Sequence, residues 1–459
     1  MSPPQAGAVA ARLHSALRTL HRTPPRLIAS PLPSTKRASV AIIIRLRPEN
    51  PPPSSSVSAL SSPTTSPLGA YIPLAPSPPA SPSQKPPSSP PASASTGASL
   101  LGTPPTVLQR LDGFFEQAWV KDDKTTVEIL YIKRATRTSD RWSGHCAFPG
   151  GRTEPDDESS EFTAMRETFE EVGMDLAESD WISVGQLDDR EITTSLGKRL
   201  LMILSPFVFL HTSPYAPIPE LQPSEVASAH WVPLELLHPP AAKYGSVEID
   251  IATRLAPRNK LARAALKVLM GRMAFQCILL PNDPVATGEA LADLPPDTKP
   301  FDIKLWGLTL GMTLDLLSHM TLSPSSPDLS TYPYPYGAPS ADSPPSTGTR
   351  SRSASSHAAF PTPEGSIFPR FSHPDINALI YLFSFRYRRL LRHPRSTAAK
   401  GGARGPHYGR VDWAGVQAGA FYAAVRKALV VAVLLRATAA LGGLATLLWW
   451  VKGKLAARR

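Results

Sequence analysis

The sequence predicts a mixed α/β layer domain, interrupted and followed by low-complexity tracts and closed by a hydrophobic helix. Three observations carry that expectation. Apolar runs rich in β-branched residues, or alternating with polar ones, mark strands at "KRASVAIII", "TVEILYIKRA", "LLMILSPFVFL" and "FQCILLP". Helix-spaced apolar residues lie around them, and the two periods together require helices layered on a sheet. The 52 prolines, most of them in tracts, reduce how much of the 459 residues can pack into a core.

Residues 1–37 read as an N-terminal basic helix, since no acidic residue occurs before Glu49 and Val9, Leu13, Leu17 and Leu20 share one helical face. Such a segment is either a helix of the domain or a mitochondrial targeting peptide. The run Val40 to Ile44 then reads as a buried strand opening a domain over residues 38–320. Residues 50–105 interrupt it with Pro, Ser and Ala and a single charge, Lys85, too little apolar surface to offset the entropy of ordering, so a disordered insertion is expected. After the strands, "HWVPLELL" reads as a strand running into a helix. In "FDIKLWGLTLGMTLDLLSHM", Trp306, Leu310 and Leu314 have helical spacing, with Leu308, Met312 and Leu316 near the same face. Residues 321–372, which include "TRSRSASS", read as a disordered linker.

Composition narrows the function classes. Two cysteines, Cys146 and Cys277, exclude a disulfide framework or a cysteine zinc site and read as buried apolar residues. The net charge of +11 favours anionic partners, yet no basic motif with interleaved aromatics accompanies it, so a nucleic-acid partner is not expected.

Against this basic background, "FPGGRTEPDDESSEFTAMRETFEEVG", Phe148 to Gly173, concentrates six Glu and two Asp beside two Arg. Its second half has the signals of a helix: Ser159 or Ser160 to cap the start, Phe162, Met165 and Phe169 to face a core, and Gly173 to end it. Glu167, Glu170 and Glu171 then stand at i, i+3 and i+4 and project from one side toward a common centre. Like charges so spaced destabilise a helix, and Arg166, paired with Glu170, cannot neutralise three carboxylates. Mg²⁺ or Mn²⁺, a hard divalent cation preferring oxygen ligands, can. The glycines of "FPGG" let backbone approach the metal and its phosphates.

These residues resemble the Nudix box. Arg166, Glu167, Glu170, Glu171, Gly173 and Met174 fill the pattern's second half, and Glu158 stands at the matching distance before Arg166. Gly151 lies one residue further from Glu158 than the pattern has it, so either the loop carries an insertion or Asp157 takes part of Glu158's role; Thr168 replaces an apolar residue. The resemblance implies a Nudix α/β/α sandwich with a mixed sheet and a metal-dependent hydrolase of diphosphate linkages. By the same resemblance, Glu167, Glu170, Glu171 and the Gly151 carbonyl region hold the metal. Glu167 doubles as general base, and Arg166 orients a carboxylate. Whether Glu158, Asp157, Glu191 or Glu225 assists is left open. The run "ILYIKRATRTSDRWSGHCAFPGG" is similar to the coenzyme A diphosphatase-like branch, which implies coenzyme A or a related nucleoside diphosphate derivative as substrate. The alternative is a membrane-tethered nucleotide-binding or scaffold protein with a catalytically silent Nudix fold.

Residues 373–459 read as a membrane-associated region. Within them 428–451, "ALVVAVLLRATAALGGLATLLWWV", has the length of a transmembrane helix, with Trp449 and Trp450 as interfacial aromatics and Lys452 and Lys454 beyond. On that reading Arg436 falls near the middle of the span, at a cost of about 2.5–3.5 kcal/mol. The preceding Arg386, Arg388, Arg389 and Arg392 are placed to meet anionic headgroups.

Overall fold

The structure, a computed structural model, describes residues 6–29, 36–51, 104–136, 143–193, 200–215, 218–237, 241–250, 252–253, 259–282, 302–321, 368–392 and 418–456. Nearly all of the insertion expected at 50–105 and most of the linker expected at 321–372 lie outside the described residues.

Strand β1 (Lys36–Arg47) lies inside an eight-stranded sheet. It pairs in parallel with β7 (Leu200–His211) and antiparallel with β2 (Thr126–Arg134), so the sheet is mixed. β3 (Cys146–Ala147) and β8 (Val226–Pro233) pair with β2, and β4 (Gly150–Arg152) pairs with β1. β5 (Trp181–Gln186) and β6 (Arg190–Thr193) pair with β7. β1 and β2 are thus neighbours although the Pro/Ser tract separates them in sequence.

The unbroken apolar run of β1 follows from burial on both faces. Ile42 and Ile44 point with Ile129, Tyr131, Val208 and Leu210 into one layer, while Ala41 and Ile43 point with Leu130, Ile132, Phe207 and Phe209 into the other. Three helices cover the first face: α1 (Ala6–Arg22), α2 (Val107–Phe115) and a later helix described below. α1 buries Leu13, Leu17 and Leu20 there, and Val9 is partly buried beside them. After it, Asp188 and Asp189 hold the extended chain by accepting from the Arg26 and Ile28 amides, and Arg37 pairs with Asp189. A short helix α3 (Ala118–Lys121) leads into β2, and α4 (Ser160–Val172) covers the opposite face.

A second, antiparallel sheet of four strands follows: β9 (Lys243–Ile249), β10 (Met273–Leu280), β11 (Ile303–Leu305) and β12 (Arg370–Phe371), with α5 (Lys260–Met270) between β9 and β10. α6 (Gly307–Thr321) returns to the first core with Leu310, Met312, Leu314 and Leu316 buried, whereas Leu308 is more than one-third exposed. The element after "HWVP" is a single 3₁₀ turn, Leu234–Leu237. A third cluster joins α5, β10 and β12 to α7 (Pro374–Phe383), α8 (Phe385–Arg392) and the first part of α9 (Ala418–Ala456).

Candidate active site

Local chemistry fixes both ends of α4. The Ser159 hydroxyl accepts from the Phe162 amide at 3.0 Å, and Gly173 ends the helix at φ 70°, a left-handed conformation that costs glycine little. The face that packs differs from the expected one. Phe162 and Phe169 are exposed, at 41% and 59%, and only Met165 of the three is partly buried. Thr163, Ala164, Thr168, Glu171 and Val172 are buried instead. Small residues let α4 approach the sheet closely, and the Thr168 hydroxyl is satisfied by the Ala164 carbonyl at 2.7 Å, so a threonine suits the position that the motif gives to an apolar residue.

Gly150 and Gly151 meet the helix at that close approach. A side chain on Gly150, at φ 147°, would run into the backbone of Ser39 and Val40; one on Gly151 would occupy the place of the Glu167 carboxylate. Glu171 reaches the same hairpin from one turn further on, and its Oε2 accepts from the Gly150 amide at 2.9 Å. Its Oε1 lies 3.7 Å from Arg134 Nη1, at the end of β2.

Arg166 is the hub of the outer side. Its Nε donates to Asp157 Oδ1 at 2.9 Å and its Nη2 to Oδ2 at 3.1 Å, a two-pronged pairing in which Thr163 and the Glu154 amide also donate to Asp157. Arg166 further contacts Glu167 at 3.2 Å and Glu170 at 3.1 Å. Arg166 holds the Asp157 carboxyl down at about 2. Asp157 therefore anchors the guanidinium, while Glu158 is exposed on the surface.

The inner carboxylates behave oppositely. Burial pushes Glu171 up to about 7, against the Gly150 amide and Arg134, and the charges of Glu167 and Glu225 add to the rise. Burial likewise raises Glu167, with Glu170 and Glu225 adding to it and Arg166 opposing. Among the described residues, no three His, Cys, Asp or Glu side chains converge closely enough to form a metal site. The expected trio is divided. Glu170, more than half exposed, turns outward to Arg166, while Glu167 and Glu171 stay at the glycine hairpin. A buried and a partly buried carboxylate, mutually repelling beside a glycine cradle, do fit a hard dication, which would offset both the burial and the repulsion.

Two residues enter the site from elsewhere in the chain. Arg134 is the end of the basic pair in "IKRA", to which the sequence assigned no role. Glu225 lies just before β8, and its carbonyl accepts from the Ala135 amide at 2.7 Å, which ties that loop to the end of β2. Glu191, on β6, is exposed.

Residues 118–250 match the NUDIX domain model. The chain carries a Nudix domain. Its match begins after β1 and α1, so the family region leaves out the strand that pairs with both β2 and β7. An uncharacterised Schizosaccharomyces pombe protein is 40% identical over 199 residues, covering 43% of this chain and 57% of that one. The mouse mitochondrial coenzyme A diphosphatase NUDT8 is 40% identical over 67 residues, covering 14% of this chain and 32% of its own. Arabidopsis thaliana Nudix hydrolase 15, mitochondrial, is 30% identical over 115 residues, covering 25% and 37%. The alignments thus span roughly a third to somewhat over half of these curated relatives. Among solved structures, the NUDIX domain of Shewanella oneidensis NrtR complexed with ADP ribose is 12% identical, with a TM-score of 0.22, covering 45% of this chain and 79% of that one.

Proposed function

We propose that the Nudix domain is a Mg²⁺- or Mn²⁺-dependent hydrolase of a diphosphate linkage, acting on coenzyme A or a related nucleoside diphosphate derivative. The observation that carries this reading is the pair Glu167 and Glu171, one turn apart on α4 and both against the Gly150–Gly151 hairpin. The name of the mouse relative supports the coenzyme A substrate, and the names of the mouse and Arabidopsis relatives support a mitochondrial setting.

Glu167, Glu171 and the Gly151 carbonyl would hold the metal, with Glu170 joining them by rotating away from Arg166. Bound there, the ion would offset charge developing on the phosphate and lower the pKa of water. Glu167 takes the proton from the attacking water as the new P–O bond forms and the bridging P–O bond breaks. Arg166, held by Asp157, keeps the Glu167 carboxylate aimed at that water. Arg134 offers a positive charge to a phosphate at the mouth of the site.

The test is a panel of dinucleotides, coenzyme A and nucleoside diphosphate derivatives incubated with the purified chain and Mg²⁺, with products identified by mass. Two products from each substrate, each left with a phosphomonoester where the diphosphate linkage was cut, released only with metal and lost in Glu171→Gln, are the expected result. Tight nucleotide binding without turnover would give the catalytically silent reading instead.

The C-terminal helix supports a second element of the reading, attachment to a membrane. Residues Gly419–Lys454 are long and apolar enough to cross one, with a mean hydropathy of 2.0 in the most apolar window.

A further inference from the structure

The helix α9 has two unlike halves, and Arg436 marks their boundary. In the first, Phe421, Ala424, Val425, Ala428, Leu429 and Ala432 are buried in the third core cluster. α7 runs antiparallel to it: Phe421 meets Tyr387 of α8, 5.5 Å between ring centres, while Arg436 meets Asp375 at the start of α7. Both Asp375 carboxylate oxygens accept from Arg436 Nη2, at 2.7 and 2.6 Å, and Nη1 donates to the Leu269 carbonyl. Arg436 is thus fixed on the folded body by two separate elements.

Beyond it, every residue from 437 to 451 is exposed, on all sides of the helix. A helix packed against a protein partner carries an apolar stripe and a polar back, whereas one surrounded by hydrocarbon is apolar all round. The only polar side chains in the segment are Thr438 and Thr446, and both hydroxyls donate to carbonyls of their own helix, at 2.9 and 2.8 Å, as a medium without water requires. Past Trp449 and Trp450 come Lys452 and Lys454, the latter with its ammonium 4.5 Å from the Trp450 ring centre. The lysines at this end complement anionic headgroups, and the Arg436–Asp375 ion pair supplies polar groups for the headgroup zone at the other.

We propose that residues 437–451 alone cross a lipid bilayer, with the Arg436–Asp375 pair as a collar at the near headgroups and the tryptophans and lysines at the far ones. This rests on the membrane reading above and changes its boundary: 428–436 stays with the folded body, and Arg436 bears no hydrocarbon cost. Fifteen residues rise about 22 Å, short of the ~30 Å core of a typical bilayer, so the tail favours a thin membrane with Lys452 reaching outward. It also removes α8 from the bilayer. Tyr387 of α8 packs on Phe421 near the start of α9, about 22 Å of helix from the collar.

The test uses the full chain added to phosphatidylcholine–phosphatidylglycerol vesicles, with single cysteines probed by a membrane-impermeant maleimide. The native Cys146 and Cys277 are buried, and the unsubstituted chain supplies the background. Val430→Cys, at a position 60% exposed, should react equally with and without vesicles. Leu444→Cys should slow about tenfold or more in vesicles, where labelling would require leaving the hydrocarbon, and Gly453→Cys should react only once the vesicles are opened. Asp375→Asn in the Val430→Cys chain should let the helix slide in and slow that label too. Protection of Val430→Cys in the otherwise native chain, matching that of Leu444→Cys, would overturn the collar and leave membrane attachment standing. Free reaction of Leu444→Cys in vesicles would overturn both. Reaction of Gly453→Cys in intact vesicles would overturn the crossing, and an unchanged Val430→Cys rate in Asp375→Asn would remove the collar from Asp375.

Discussion

Glu171 is the residue on which the site depends most, because its carboxylate is buried, bonded to the Gly150 amide and repelled by Glu167 and Glu225. Glu171→Gln keeps the shape and removes the charge, so turnover should fall about a hundredfold or more while the melting temperature holds or rises. Rates near those of the unsubstituted chain at limiting Mg²⁺ would remove Glu171 from the mechanism. A different buried group sets acid stability. His211, at the end of β7 against Trp181, bonds the Ser213 carbonyl, and burial lowers it to about 4. Its folded value lies below the ordinary ~6.5, so the unfolded chain binds the extra proton first. The stability it contributes is complete above pH ~6.5 and is lost as pH falls through about 4. Glu171 has the opposite sign over part of this range, so the readout is the difference between chains: His211→Gln should flatten the fall in melting temperature between pH 6.5 and 4 relative to the unsubstituted protein. Parallel curves would show that His211 does not carry it.

At the scale of elements, α4 and the glycine hairpin make one unit, and the two glycines serve it differently. Gly150→Ala puts a methyl into the backbone of β1 at a φ that L-residues rarely adopt, which should cost about 1–3 kcal/mol or more and lower the melting temperature. The nearest atoms that Gly151→Ala meets are the end of the Glu167 side chain, which can swing aside. The fold should survive, with activity reduced because the carboxylate has moved. Equal effects on stability from the two would contradict this division. The outward face of α4 gives a complementary test: Phe169→Ser should change stability by no more than about 0.5 kcal/mol, as exposed sites do, although an amphipathic reading makes Phe169 a core residue.

For the whole molecule, β1 and β2 pair although residues 52–103 lie between them, and that tract is Pro/Ser-rich with one charge. Loop-closure entropy changes slowly with length, about 0.6 kcal/mol per doubling. A chain with 52–103 shortened to a few residues should keep its activity and its melting temperature within a few degrees, by calorimetry. A collapse of either would assign the tract a place in the packed domain. The same long-range assembly gives the C-terminal region its division into a docked half and an exposed half, since what Arg436 meets is set by α5 and α7, far away in sequence.

Local rules made much of this molecule legible. Continuous or alternating apolar runs marked β1, β2, β7 and β10, the serine and glycine at the ends of α4 marked its limits, and the order of Arg166, Glu167, Glu170 and Glu171 marked the Nudix box, because each signal lies within a few residues of chain. Packing decided the rest. Which face of α4 turns inward depended on how closely the helix approaches Gly150 and Gly151, and closeness favoured Ala164 and Thr168 over the larger Phe162 and Phe169. Asp157 rather than Glu158 met Arg166 because the turn before the helix folds it back onto the guanidinium. Arg134 and Glu225 reached the carboxylates through the pairing of β2 with β8, and Arg436 met Asp375 across 61 residues. Spacing along a chain reports the period of an element and its caps. It does not report which distant charge stands opposite, because that is fixed only when the elements pack.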